Sequence, residues 1–233
     1  MDDQHGANIQ KMFALIAPRY DVFNTVASFG QDQAWRRRAV ELAAPTRLHT
    51  VLDAATGTGK IAAVLLDYAD TVTALDFTDA MLVKANRYLQ KYPEGDQVRL
   101  VQGDILSLPF ASDTFDCVTI GFGMRNLSDI PRGLAEFYRV LRPGGRLAIL
   151  DIVRPSGIIQ NWLYTIGFRW SLPLIGWAIS GNRGAYRYLP ESVEQYLNPQ
   201  ELQDALFQTG FLQVFHERLF IGTITIHVGD KAL

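Results

Sequence analysis

Residues 51–59 read Val-Leu-Asp-Ala-Ala-Thr-Gly-Thr-Gly, and no other stretch narrows the choice of fold as far. Two apolar residues close a buried strand, Asp53 follows, and a small-residue turn ends on Gly57-Thr58-Gly59. Helical pattern resumes at Ile61-Ala62-Ala63-Val64-Leu65-Leu66. A strand that turns through glycines into a helix lets backbone come close to a ligand, because glycine has no Cβ in the way. The next apolar strand, Val72 to Leu75, ends at Asp76, 17 residues after Gly59. An acid at the tip of a second strand is placed to accept from both hydroxyls of a ribose. Asp53, Gly57, Gly59 and Asp76 together predict a nucleoside site in a doubly wound α/β domain.

The glycine spacing also sorts among nucleosides. A dinucleotide fold wants G-x-G-x-x-G with a helix N-terminus aimed at a pyrophosphate. Here Ala62 stands where the third glycine would be. Asp53, read as standing in the loop, would repel a pyrophosphate. A carboxylate there suits a ligand with a cationic amine, such as the methionine part of S-adenosylmethionine.

Composition narrows the class further. A chain of 233 residues, 48% hydrophobic and 20% charged, supports one domain with a large core. The net charge of −2 gives no electrostatic footprint for nucleic acid. One cysteine rules out an internal disulfide framework and points to a reducing, cytoplasmic setting. Cys117 lies in an apolar strand pattern without a base beside it, so it reads as buried filler. The polar start, Met1-Asp2-Asp3-Gln4-His5, predicts no signal peptide. His5, His49, His216 and His227 stand at no metal-ligand spacing, and no G-x-S-x-G elbow occurs.

Strand and helix patterns alternate through the middle of the chain. Strands are expected near 49–54, 71–76, 97–102, 115–121 and 146–152, with helices near 59–68, 79–91 and 129–140. Such alternation gives a parallel sheet with helices on both faces. Before it, residues 8–44 read as helical, broken at Pro18, with a second helix after Gly30 that ends before Pro45. After it, a helix at 199–208 and strands at 211–218 and 221–229 close the chain. Arg142-Pro143-Gly144-Gly145 is a strong helix stop. Residues 157–181 are aromatic-rich but broken by Asn161, Arg169 and Pro173, so they predict no membrane span. They suit either a cover over a pocket or a segment resting on a membrane surface.

Two further clusters carry chemistry. Asp104, after the third strand, can accept from an adenine amine while Ile105 packs on the ring; the bland reading of Asp104 is a turn cap. Gly121-Phe122-Gly123-Met124-Arg125-Asn126 sits past the fourth strand, where open α/β sheets bind ligands. Arg125 and Asn126 either reach a substrate oxygen or form a loop whose Arg pairs with an acid such as Asp129. Asp116 reads as loop-shaping. Tyr20 and Asp21, taken alone, read as a core ring and a helix cap, with Asn24 beside them.

Taken together, these residues resemble a class I S-adenosylmethionine-dependent methyltransferase. More narrowly, the chain resembles the ubiquinone/menaquinone biosynthesis C-methyltransferase family, of demethylmenaquinone methyltransferase type. Three blocks carry the match: Phe13 to Asn24 with Ser28-Phe29-Gly30 and Trp35-Arg36; Phe115 to Asn126 running on to Gly145; and Tyr186-Arg187-Tyr188-Leu189-Pro190-Glu191-Ser192-Val193 with a tail from Gly222 to Gly229. The resemblance implies a doubly wound, mostly parallel seven-stranded sheet in a single domain over 1–233. Its parts would be an N-terminal helical cap (1–44), a cofactor-binding core (45–152), a helical lid insertion (153–196), and a C-terminal helix and strands (197–233).

It also implies S-adenosyl-L-methionine as cofactor, contacted by Thr58, Asp76, Phe77, Asp104 and Ile105. The family often has a serine where Gly121 stands, so Gly121 is expected to contribute backbone alone. The family's glycine motif usually ends in an acid where Lys60 stands; Lys60 would then lie near the cofactor's carboxylate or face solvent.

The implied reaction moves a methyl group to a ring carbon of a prenylated quinol. The family site falls on Arg125, Asn126 and Tyr20, with Tyr20, Asn126 and Tyr188 holding the ring. Arg125 stays protonated and is better suited to stabilising a developing phenolate than to acting as base. The aromatic segment 158–180, including Trp162, would wall in an isoprenoid tail and touch the inner face of the cytoplasmic membrane. A homodimer is compatible with this picture. The alternatives are a methyltransferase acting on another lipid or phenol, and a non-catalytic cofactor-binding subunit of a quinone-synthesis complex.

Overall fold

The computed structural model describes residues 2–154, 157 and 191–233. Its centre is a seven-stranded sheet of β1 (Leu48–Ala54), β2 (Ala69–Asp76), β3 (Arg99–Gln102), β4 (Phe115–Gly121), β5 (Leu141–Ile152), β6 (Leu212–Leu219) and β7 (Ile224–Asp230). The order is β3-β2-β1-β4-β5-β7-β6. β1 pairs in parallel with both β2 and β4, which makes that junction the switch in strand order. β7 runs antiparallel to β5 and β6.

The central strands are apolar runs because both of their faces are covered. Alternate residues supply two cores. Val51, Val72, Cys117, Ala148 and Ile226 face one core, and Leu52, Leu75, Val118, Leu147 and Ile149 the other. Helices α3 (Asp32–Ala43), α4 (Lys60–Leu65) and α5 (Asp79–Leu89) cover the first face. Helices α6 (Ile130–Val140) and α7 (Pro199–Thr209) cover the second.

Their limits follow from local chemistry. Asp129 caps α6 by accepting from Arg132 N, with Pro131 in the first turn. Asn198 and Glu201 form a capping box on α7, and Gly210 ends it in the left-handed region.

The N-terminal stretch is α1 (Asp2–Ile16), a 3₁₀ turn at Ala17–Arg19 and α2 (Tyr20–Ala27), so the break at Pro18 is where the sequence places it. Two elements differ from expectation. The α4 helix stops at Leu65, and Leu66 to Tyr68 turn directly into β2. β5 begins at Leu141 rather than after the Arg-Pro-Gly-Gly turn. Leu141 pairs with Phe115 and Arg146 with Cys117, so the turn is a bulge within the strand, with Gly144 at positive φ.

Candidate functional site

The loop after β1 is tight because three residues in it take left-handed backbone: Ala55 (φ 51), Gly57 (φ 57) and Gly59 (φ 81). Asp53 lies beneath this loop, within β1, and not in it. It is buried; Thr56 Oγ1 donates to it at 2.6 Å, Thr119 Oγ1 at 3.0 Å and Ala62 N at 3.1 Å. Burial pushes its carboxyl up to about 7, against the pull of those three donors. The expectation that Asp53 faces a cationic amine is therefore corrected: its oxygens tie β1, the loop, α4 and β4 together.

A cavity of about 590 Å³ opens over the carboxyl ends of the strands, within the size range of small-molecule sites. Ala55, Gly57, Asp76, Phe77 and Thr78 form one wall. Asp76 is held by Gly57 N, donating to Oδ2 at 2.8 Å, and by Thr78 N, donating to Oδ1 at 2.8 Å. Burial raises its pKa, opposed by the backbone N–H groups of Thr78, Gly57 and Phe77. Each carboxylate oxygen still has a lone pair for a ligand hydroxyl.

Gly103, Asp104 and Ile105 line a second side, and Gly121, Phe122, Gly123 and Asn126 a third. Asp104 Oδ1 accepts from Leu106 N at 2.9 Å, so it shapes its turn while lining the cavity. A Cβ at Gly121 would meet the tip of the Ile61 side chain, Cδ1, which would have to turn aside.

The fourth side comes from the N-terminal helices: Gly6, Gln10, Phe13 and Tyr20. Gln10 Nε2 donates to Phe77 O at 3.0 Å, Lys84 Nζ donates to Ala17 O, and Phe13 packs edge-on to Tyr20. Gly6, Gln10 and Phe13 were not singled out by sequence as site residues. The apolar spacing of α1 shows that it covers something, but not what.

Several residues expected at the site lie elsewhere. Thr58 Oγ1 donates to Asp21 Oδ1 at 2.8 Å, drawn off by α2. Gly59 is at the α4 N-terminus, where an added Cβ would press on Ala85 of α5 at 3.2 Å; its smallness serves helix packing. Lys60 is buried and meets neither solvent nor the cavity. Its Nζ lies 3.2 Å from Asp32 Oδ2 and 3.4 Å from Asp21 Oδ1. Burial would raise the carboxyl of Asp32, but Arg36 and Lys60 beside it hold it below the usual range.

Arg125 is held by Asp151 rather than by Asp129. Its Nη1 donates to Asp151 Oδ1 at 2.5 Å and to Phe122 O at 2.7 Å, and its backbone N donates to Asp151 Oδ2 at 3.1 Å. Asp151 is completely buried. Asn126, one residue on, does line the cavity, and its Nδ2 reaches Phe122 O at 3.4 Å. Trp162, Tyr188 and the segment 158–180 lie outside the described residues.

Asp116, expected to shape the loop before β4, instead ties strands together: it lies in β4 and accepts from His49 N and Thr50 N of β1 and from Arg142 of β5. Cys117 is fully buried, and burial pushes its thiol up to about 12. A thiol-specific reagent at neutral pH is expected to leave the native protein unlabelled and to label it fully in denaturant. Stoichiometric labelling of the native chain would contradict this burial. Among the described residues no His, Cys, Asp and Glu group is arranged to hold a metal ion, and no helix is long and apolar enough to cross a membrane.

Comparison with known proteins adds a family to this geometry. The model of the ubiE/COQ5 methyltransferase family matches residues 1–231. A demethylmenaquinone methyltransferase of Thermus thermophilus is 46% identical over 222 residues, which is 94% of this chain and 100% of the relative. A ubiquinone/menaquinone biosynthesis C-methyltransferase UbiE of Geotalea daltonii is 37% identical over 231 residues, 98% of both chains. Among solved structures, a SAM-dependent methyltransferase of Thermotoga maritima superposes with a TM-score of 0.69 at 18% identity, over 95% of this chain and 99% of that one. The cyclase SpnF superposes with a TM-score of 0.71 at 16% identity, over 98% of this chain and 97% of its own. At such identities these two likenesses concern the fold alone.

Proposed function

The chain belongs to the ubiE/COQ5 methyltransferase family, and on that premise we propose how its cavity carries out methyl transfer to a ring carbon of a prenylated quinol. It is an S-adenosylmethionine-dependent C-methyltransferase of quinone biosynthesis. The observation that carries the site reading is the Asp76 carboxylate, fixed by two backbone N–H groups and facing the cavity. That donor-free acceptor suits a ribose diol, and Ile105 and Asp104 across the cavity suit a purine ring and its amine. Gly57 and Gly121 line the cavity with backbone. The residues present therefore fit the cofactor, with Asp76, Phe77, Gly57, Asp104, Ile105 and Gly121 to hold it.

S-adenosylmethionine supplies an electrophilic methyl on a sulfonium. Bound, it would give that methyl to the ring carbon and leave as the neutral thioether, and the proton that the methyl replaces would pass from the ring to water. The protein must align the ring, keep water out, and steady the charge that grows on the ring oxygen. Asn126 and Tyr20 line the cavity and can hold the ring hydroxyls. Arg125 acts through its neighbours: by holding Phe122 O and Asp151 it sets the turn that presents Asn126. The N-terminal helices close the cavity against solvent. In this reading residues 1–44 are a cap on one domain spanning 1–233, and 153–196 a lid that brings Trp162 and Tyr188 to the acceptor. A homodimer is compatible with it.

The test is transfer of a labelled methyl to a reduced demethylnaphthoquinol or a benzoquinol precursor, with mass-spectrometric location of the new carbon. Cofactor binding without turnover on any such acceptor would favour the non-catalytic subunit. Turnover on a different lipid or phenol alone would favour the other methyltransferase. Asp76→Ala is expected to weaken cofactor binding by about 1.5–3 kcal/mol, the range for hydrogen bonds to a charged group. Calorimetry on a folded variant checks this, and unchanged affinity would move the ribose elsewhere.

A further inference from the structure

The cap has a second face, turned away from the cavity. Val22 and Val26 lie one helical turn apart on α2, and Phe29 N donates to Val26 O just beyond it. Phe29 stacks on Phe220, with ring centroids 6.2 Å apart, and Ile221 follows. Val22 is 57% exposed, Phe29 80% and Ile221 57%. Two separate loops thus hold one apolar patch in water.

They hold it at a cost in backbone strain. Phe29 (φ 52), Phe220 (φ 40) and Ile221 (φ 59) all take left-handed backbone, and a β-branched residue there is a genuine outlier. Strain of this kind persists where surrounding structure enforces it and gathers at functional sites. Cations outnumber acids around the patch: the acids nearest in sequence to Arg37 and Arg218, Glu41 and Glu217, are both taken up by Arg38. Arg19 precedes Val22 by one turn, Arg218 precedes Ile221, and Arg37 stands on α3; all three are exposed. The acids between residues 11 and 38 are Asp21 and Asp32, and both pair inward with Lys60.

We propose that Val22, Val26, Phe29 and Ile221, flanked by Arg19, Arg37 and Arg218, dock the protein on an anionic lipid bilayer. An apolar surface rimmed with cations is the pattern that inserts at the headgroup boundary and is drawn there by negative lipid. On the opposite side of α2 Tyr20 lines the cavity, together with Gly6, Gln10 and Phe13 of α1. Docking by the outer face therefore sets the cap between lipid and cavity, where a prenylated acceptor can pass from one to the other. This last step rests on the quinol reading above; the docking does not.

The test is sedimentation of the full chain with phosphatidylcholine vesicles, with and without phosphatidylglycerol. Binding is expected to the mixed vesicles, weakened by salt and by omission of the anionic lipid. Phe29→Asn with Ile221→Asn is expected to lower it by about tenfold or more per side chain. Asn takes left-handed backbone more readily than Phe or Ile, so the fold is not put at risk. The same variant should keep the wild-type rate on a short-chain, water-soluble acceptor and lose rate on one embedded in vesicles.

Absence of vesicle binding by the wild type, or equal binding by the variant, overturns the proposal. So does a wild-type dimer in sedimentation velocity that the variant splits while neither binds vesicles, because a second copy then covers the patch. Vesicle binding as expected, with no methyl transfer to either quinol, would keep the docking surface and remove the quinol reading.

Discussion

Arg125→Ala is expected to destabilise the fold by about 3–5 kcal/mol, the range for removing one partner of a buried ion pair. The Arg125 side chain is 6% exposed and that of Asp151 0%. Truncation leaves the Asp151 carboxylate with the backbone N–H groups of Arg125 and Ile152, but without its cation. Urea titration measures the loss. Adding Asp151→Asn should recover part of it, since no charge is then stranded. A loss below about 1 kcal/mol, as for an exposed pair, would mean that the pair is not closed to water. Any change in methylation rate has to be judged against this destabilisation, and at a temperature where the variant is folded.

The second large effect is a pair of opposed pH dependences. His227 is completely buried, and its Nε2 lies 2.9 Å from Pro199 O. Its Nδ1 meets no hydrogen-bond partner among the described residues. Burial lowers its pKa to about 4, and the stacked His216 and nearby Arg218 push the same way. Because the folded value is depressed, stability present above about pH 6.5 is lost as pH falls toward 4, up to about 3 kcal/mol.

Asp53 runs the other way. Its folded pKa is raised to about 7, so its contribution is fully present at low pH and lost as pH rises through about 7. The two nearly cancel in the intact protein. His227→Gln should then make the protein more stable as pH is lowered from 7 to about 5, and Asp53→Asn should make it less stable. Urea midpoints across this range check both slopes. Parallel curves for the wild type and both variants would show that neither group titrates in the folded state as described.

The architecture was legible because parallel strands, covered on both faces, must be apolar runs, and Val51-Leu52, Val72 to Leu75 and Phe115 to Gly121 are such runs. Asp76 was legible for the same reason: the run stops at it. The orientation of Asp53 was not. An acid near a strand end can face up into a cavity or back into the sheet, and here Thr56, Ala62 and Thr119, the last 66 residues away, together hold it in the sheet. Arg125 was placed on the right loop, but its pairing with Asp151 was not legible, because Asp151 lies 26 residues further on and meets it through the pairing of β4 with β5. For α1, helical spacing revealed a covering face but not that the face is one side of the cavity.

Lys60 has a consequence for how such a chain can drift. It meets Asp21 and Asp32, and Arg36 meets Asp32; all but the half-exposed Asp21 are buried. A mutation of Lys60 to an acid, alone, would set three carboxylates against one guanidinium, with only Asp21 in reach of water. A neutral residue in place of Asp32 would leave Lys60 still paired to Asp21. The order of change is therefore constrained: position 32 must lose its charge before position 60 can reverse. Lineages that carry an acid at 60 should be found without an acid at 32, and a chain bearing both acids should not persist.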